Sequence, residues 1–138
     1  MNRALRALTW LMLAKLFTRS LDYVTGTQAA IPDDGLQSSE VWGLAGLVAS
    51  VIVFFGLMAS KNLAVKLGAI LTFAIYTMIG VQMFELSMLP IPWPPEDPRL
   101  SLNFLFDGAM WLAIAVIVWW RMLFTTSRTG SVLLTSSP

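Results

Sequence analysis

A chain of 138 residues allows one domain, and this one is 57% hydrophobic, with 12% charged residues and a mean hydropathy of +0.71. Soluble domains carry about 25% charged residues, so this composition predicts an integral membrane protein. The formal net charge of +1 argues against a nucleic-acid partner. Cysteine and histidine are absent from the sequence, which excludes disulfides, histidine-held haem and the usual zinc and copper sites. We therefore predict no catalytic residue, no cofactor, no metal and no enzymatic activity.

Charged residues alternate in sign between the ends of successive apolar segments. The groups run basic, acidic, basic, acidic and basic, at Arg3/Arg6, Asp33/Asp34/Glu40, Lys61/Lys66, Glu85/Glu96/Asp97 and Arg121/Arg128. Lys and Arg resist translocation, so the loops that carry them stay in the cytoplasm. The alternation predicts an all-α, four-helix membrane bundle over residues 1–124, with both termini on the cytoplasmic side.

The first predicted helix, residues 4–24, is interrupted by Lys15, Arg19 and Asp22. An amphipathic helix lying on the membrane surface is the alternative for such a segment. That arrangement would place the N-terminus beside the acidic loop and break the alternation of charge. We therefore favour a helix that crosses the membrane.

The second and third helices are predicted at 41–60 and 62–86. The second has 20 residues without a charge, about 30 Å of helix, which matches the hydrocarbon thickness of a bilayer. Because so few residues connect the two segments, they must form a tight antiparallel hairpin. Small residues recur at close-packing spacing in Ala45/Ala49, Gly46/Ser50, Ala64/Gly68/Thr72 and Ala109/Ala113, and we expect them to pack within the chain.

A proline-rich loop at 89–100 leads to the fourth predicted helix, 102–124, and residues 125–138 are expected to form a mobile cytoplasmic extension. Trp93 lies within this loop, and Trp119 and Trp120 stand next to Arg121 at the cytoplasmic edge. Indole rings favour membrane interfaces and protein contacts. These three tryptophans are candidate contacts with a partner.

Five charged residues are predicted to share the interior of the bundle. Lys15, Arg19 and Asp22 lie on one face of the first helix, while Glu85 and Asp107 lie in the outer parts of the third and fourth. A charge in hydrocarbon costs at least about 2.5 kcal/mol, so these groups must meet protein, water or each other. The cluster is either a polar site for a proton, an ion or an anionic ligand, or an ion-pair network that fixes helix order or contacts another subunit.

The length, the four predicted spans and the hairpin over residues 56–84, GLMASKNLAVKLGAILTFAIYTMIGVQMF, resemble the DoxX/DoxD-like family of small four-helix membrane proteins. Members are often associated with membrane oxidoreductase systems, so the resemblance implies an accessory role. The glycines and the Gly-x-x-Lys ending that are usual in the family's first helix have no counterpart at 14–24. No functional residue is carried over.

Three classes of function fit these features. The first is a non-enzymatic accessory or structural subunit of a larger membrane complex, in contact with lipid and with other subunits or further copies of itself. The second is a holin-like pore former. The third is a small transporter or channel that uses Lys15, Arg19, Asp22 and Asp107. Each predicts a multi-pass membrane protein, in the cytoplasmic membrane if the source is bacterial.

Overall fold

The computed structural model is all-helical, as predicted, and describes residues 3–25, 39–88 and 99–134, with side chains over 3–25, 40–84 and 101–124. The helices are α1 (Arg3–Val24), α2 (Ser39–Met58), α3 (Asn62–Met88) and α4 (Arg99–Leu134). Within the described residues three segments are long and apolar enough to cross a membrane, in α2, α3 and α4: Glu40–Met58, Asn62–Phe84 and Ser101–Phe124. Helix α1 falls short of that standard because charged side chains interrupt it.

The helix bounds follow the predicted ones within two or three residues, except at the end of α4. That helix continues to Leu134, ten residues beyond the predicted end at 124, where we expected a mobile extension. Residues 125–134 contain no proline, so all ten retain the backbone N–H groups that a helix needs. The proposed domain boundary at 124 stays a prediction.

Helices that are neighbours in sequence pack side by side. Helix α1 runs antiparallel to α2 along its whole length: Arg6 donates a hydrogen bond to the Leu57 carbonyl (3.2 Å) at one end, and Gly43 lies against Val24 at the other. Helix α4 packs along α3 but meets α1 at only a few positions. The bundle is therefore tightly packed on three sides and loosely closed between α1 and α4.

The predicted hairpin between α2 and α3 is confirmed, and its turn is a Schellman motif. Ser60 has a φ of 54°, in the left-handed region, and Lys61 N–H donates to the Gly56 carbonyl at 2.9 Å. The Lys61 carbonyl then accepts the Ala64 N–H at 3.1 Å, which starts α3. The turn satisfies the last carbonyls of α2 and reverses the chain within three residues.

Close packing of α2 against α3 depends on Gly56 and on Gly68, of which Gly68 is one of the predicted small-residue positions. A Cβ on Gly56 would lie 2.8 Å from the backbone nitrogen of Val65, and one on Gly68 would lie 2.5 Å from a methyl group of Val53. Intramolecular packing is confirmed for the buried members of the predicted set, namely Gly46, Ala49, Ser50, Gly68 and Thr72. It is wrong for Ala109 and Ala113, which are exposed because α4 turns a different stripe toward its neighbours.

Charge is segregated along the bundle axis. Among the described side chains one end carries only cations, which we call the basic end: Arg3, Arg6, Lys61, Lys66 and Arg121. Glu40 lies in the first turn of α2 at the opposite end, and Asp107 lies in the half of α4 nearer that end. This distribution agrees with the sign alternation in the sequence.

Candidate functional site

Helices α1 and α4 are joined by two ion pairs that share one carboxylate. The Lys15 Nζ lies 2.6 Å from Oδ1 of Asp107, and Nη1 of Arg19 lies 2.9 Å from Oδ2 of the same residue. Both contacts are charge-assisted hydrogen bonds of ordinary length. We call Lys15, Arg19 and Asp107 the charged cluster. It crosses the side of the bundle where α1 and α4 are loosely packed.

The three members of the charged cluster differ in burial. The exposed fraction of the side chain is 6% for Asp107, 19% for Arg19 and 52% for Lys15. Within these three residues one carboxylate contacts two cations. Because Lys15 is the most exposed member, its ammonium is presented on the outside of the bundle.

Aromatic rings surround the Arg19 guanidinium. Its central carbon lies 4.3 Å from the ring centroid of Phe104 and 5.8 Å from that of Tyr76. Phe104 in turn stacks on Tyr23, with ring centroids 6.5 Å apart. The aromatic rings near Arg19 therefore come from α1, α3 and α4. Cation–π contacts of this kind contribute about 0.5–2 kcal/mol each, more where water is excluded. Arg19 is therefore held by rings as well as by Asp107.

Residue spacing explains why Asp107 faces inward. Buried positions in α4 recur every three or four residues, at Ser101, Phe104, Gly108, Trp111, Ala115 and Val118. Such spacing turns one stripe of a helix toward its neighbours. Asp107 flanks this stripe on the same turn as Gly108. Its carboxylate is therefore positioned at the margin of the core, within reach of α1.

The structure brings together three of the five residues predicted to form the cluster. Lys15 and Arg19 both contact the carboxylate of Asp107, another member of the predicted cluster. Asp22 is half-buried one turn beyond Arg19. The backbone of Glu85 belongs to α3, and its side chain lies outside the described residues.

Thr18, between Lys15 and Arg19 in the sequence, does not face the other helices of the chain. This residue is exposed, and its hydroxyl donates to the Ala14 carbonyl at 3.0 Å. A threonine hydroxyl satisfied by its own helix needs no partner from another helix. Only part of the predicted polar face, led by Arg19, is turned inward.

The predicted partner contacts are only partly described. Trp93 lies outside the described residues, whereas Trp119 and Trp120 are exposed by 52% and 61%. The Lys66 ammonium lies 5.1 Å from the ring centroid of Trp119, a contact between α3 and α4 that we did not predict. It became apparent only with the packing of α3 against α4, which places Lys66 beside Trp119.

Two cavities lie between helices elsewhere in the bundle. An apolar groove of about 500 Å³ lies between the outer sides of α1 and α2. It is lined by Trp10, Leu13, Ala14, Phe17, Ser50, Val51, Phe54 and Phe55. A smaller, polar cavity of about 100 Å³ lies at the basic end, lined by Arg6, Gly56, Leu57, Ser60, Asn62 and Val65. Neither cavity contains a member of the charged cluster, so that cluster is a separate feature.

Comparison of the chain with protein-family models, with curated proteins and with solved structures finds no match. The resemblance to DoxX/DoxD-like proteins accordingly stays a prediction. Among the described residues no group of three carboxylates lies close enough to hold a metal ion. Whether the chain has enzymatic activity or binds a cofactor is likewise left at the level of prediction. The charged cluster is the candidate functional site.

Proposed function

We propose that this chain is a non-enzymatic accessory subunit of a larger membrane complex. The observation that carries the proposal is the unequal charge of the cluster, in which Asp107 faces both Lys15 and Arg19. A net charge within a membrane-spanning segment is costly unless protein or water surrounds it. Lys15, 52% exposed on the outside of α1, is best explained by a further subunit that completes its surroundings.

The proposal includes four crossings with both termini in the cytoplasm. Helix α1 follows α2 from Arg6 at one end to Val24 at the other, which supports a crossing α1 and disfavours a helix lying on the surface. The basic end then faces the cytoplasm, in keeping with the topology of Lys and Arg in membrane proteins. The protein is accordingly a multi-pass membrane protein, in the cytoplasmic membrane if the source is bacterial.

The transporter alternative requires a group that exchanges its ligand. Both oxygens of Asp107 accept hydrogen bonds from cations, at 2.6 and 2.9 Å, and the side chain is 6% exposed. A buried carboxylate with both oxygens occupied is more consistent with a fixed structural ion pair than with a group that exchanges its ligand. The pore-former alternative has no specific observation in its favour among the described residues.

Native mass spectrometry of the tagged chain, extracted from its own membranes in a mild detergent, tests the proposal. We expect a discrete assembly that contains the 15.2 kDa chain together with at least one other membrane protein. The matched control is Lys61→Gln, which removes an exposed cation from the basic end and should leave the assembly intact. A monomer that fully restores the phenotype of a deletion strain would refute the proposal.

A further inference from the structure

Helix α1 has two stripes of heptad spacing on opposite faces. The inner stripe is buried in the bundle and consists of Thr9, Leu13, Leu16, Ser20 and Tyr23. The outer stripe is exposed and consists of Ala4, Ala7, Leu11, Ala14, Thr18 and Leu21. A repeat of 3.5 residues keeps one seam of a helix facing a partner helix over several turns. The inner stripe has such partners in this chain, and the outer stripe has none among the described residues.

The outer stripe resembles a packed seam more than a lipid-facing surface. Its residues are mostly small, whereas the exposed faces of α2, α3 and α4 are dominated by large apolar side chains. Thr18 in the outer stripe bonds to the carbonyl four residues back at 3.0 Å, as the buried Thr9 does at 2.7 Å and Ser20 at 2.8 Å. Small residues with hydroxyls satisfied in this way let helix backbones approach closely.

Lys15 stands beside the outer stripe and adds a requirement of charge. Its ammonium has three donor hydrogens, and its hydrogen bond to Asp107 uses one of them. The Lys15 ammonium therefore lies next to the outer stripe, at the level of Ala14 and Thr18 and on the side toward α4. A helix that packs on this seam must offer an acceptor, preferably a negative one, at the level of Lys15.

We infer that the outer stripe of α1 seats a transmembrane helix of a partner protein, and that an Asp or Glu of that helix pairs with Lys15. The inference rests on the proposed function and deepens it by naming the chemistry of the partner. The completed site would have two cations, Lys15 and Arg19, and two carboxylates, one of them Asp107. The Lys15 ammonium would then have a carboxylate from each of its two neighbouring helices.

The depth of Lys15 favours a protein carboxylate over a lipid phosphate. At 1.5 Å per residue Lys15 lies about 13 Å from Val24 and about 18 Å from Arg3, near the middle of α1. Asp107 fixes the ammonium at this level through a 2.6 Å contact. Headgroup phosphates lie at the ends of a membrane-spanning helix and are too distant to pair with an ammonium fixed here.

A second copy of the chain is a poor occupant of the same seam. Two copies related by a two-fold axis would bring their two half-exposed Lys15 ammonium groups together. Asp22, the other acid of α1, is seven residues and about 10 Å along the helix from Lys15. Self-association would therefore add repulsion at Lys15 without supplying a carboxylate at its level.

The test uses the purified full chain in neutral phosphatidylcholine vesicles and a defined probe, a leucine-rich transmembrane peptide with one central Asp. Since the chain has no native cysteine, Lys61→Cys at the basic end carries a donor dye and the peptide carries the acceptor. We expect the Asp peptide to bind about tenfold more tightly than the all-Leu peptide. Lys15→Arg should keep this preference, and Lys15→Gln should abolish it. Equal affinities of the native chain for the two peptides would overturn the inference.

Variants of the seam separate packing from charge. Ala14→Ile places a bulky side chain on the outer stripe and should weaken binding of the Asp peptide by about tenfold. Ala74→Ile, the matched control at an exposed position of α3, should leave binding unchanged. If Ala14→Ile and Ala74→Ile bind the Asp peptide with equal affinity, the partner helix does not pack on the outer stripe and the inference fails.

The other occupants have their own signatures in the same assay. If the preference for the Asp peptide is lost when phosphatidylglycerol is added, Lys15 binds a lipid phosphate. If energy transfer occurs between copies of the chain and Ala14→Ile abolishes it, the outer stripe mediates self-association. Either result overturns the inference. A native assembly in which the partner helix contacts another face of the chain would also overturn the inference but would leave the proposed function in place. Conversely, a seam that prefers the Asp peptide in a chain that is monomeric in its own membranes would keep the site and refute the proposed function.

Discussion

Replacing Asp107 by asparagine is the perturbation most directly connected to the charged cluster. The substitution preserves the shape of the side chain and removes the negative charge that contacts both Lys15 and Arg19. Removing one partner of a buried ion pair costs about 3–5 kcal/mol, because the remaining charge is left uncompensated. Arg19 keeps its ring contacts and the amide oxygen still accepts a hydrogen bond, so we expect the lower end of that range, about 3 kcal/mol.

The matched variant is Lys15→Gln, which leaves Arg19 and Asp107 as a balanced pair. Its effect on the free energy of unfolding of the isolated chain should stay within about 1 kcal/mol, because the removed cation is the half-exposed, excess one. Arg19→Gln in the Asp107→Asn background should recover part of the lost stability by removing the orphaned buried charge.

Unfolding by sodium dodecyl sulfate in mild-detergent micelles, followed by tryptophan fluorescence, provides the free energies for all of these variants. Spin labels on cysteines at Leu8 and Leu112 report in parallel whether α1 separates from α4. An Asp107→Asn change below about 0.5 kcal/mol, or a Lys15→Gln change as large as that of Asp107→Asn, would refute the reasoning.

Three further predictions concern packing, the hairpin and topology. Gly56→Ala should lower the free energy of unfolding by about 1–3 kcal/mol, because the added Cβ meets a backbone atom at 2.8 Å. Gly108→Ala, with its nearest contact at 3.3 Å, should lower it less, and the same unfolding assay compares the two variants. Ser60→Gly should raise the unfolding free energy by about 0.5–1 kcal/mol in that assay, because glycine accepts a φ of 54° without strain. Single cysteines in place of Asp34 and Arg128 should react with an impermeant thiol reagent from opposite sides of the membrane.

Each of these predictions has a definite contrary result. Equal costs for the two glycine variants would show that the close approach of α2 and α3 is absent in the membrane. A less stable Ser60→Gly variant would show that the Schellman turn is wrong. Labelling of positions 34 and 128 from the same side would rule out four crossings between the cytoplasmic termini.

The sequence was enough to predict the helices and the ion pairing across α1 and α4. A charge within an apolar segment is so costly that Lys15 and Arg19 had to find an acceptor, and Asp107 was one of the few available. The hairpin followed from the number of residues between α2 and α3. These conclusions depend on local composition and on chain connectivity, which are both present in the sequence.

Side-chain detail at the cluster depends on helix rotation, which the sequence does not specify. Arg19 reaches Phe104 and Tyr76 only because α3 and α4 turn those rings toward α1. The outward position of Thr18 likewise follows from the rotation of α1. That rotation depends on close contacts such as the one between Gly46 and Ser20, which appear only when the helices are packed.

The distance between Lys15 and Asp107 in a lipid bilayer tests the central claim most directly. Solid-state NMR on the full chain, with ¹⁵N at lysine side-chain nitrogens and ¹³C at aspartate carboxyl carbons, measures it through dipolar coupling, and Asp107→Asn identifies the signal. A 2.6 Å contact between Nζ and Oδ1 predicts a nitrogen-to-carbon separation within about 4 Å. A folded chain without this coupling, in which Lys15 and Asp107 lie more than about 6 Å apart, would contradict the account.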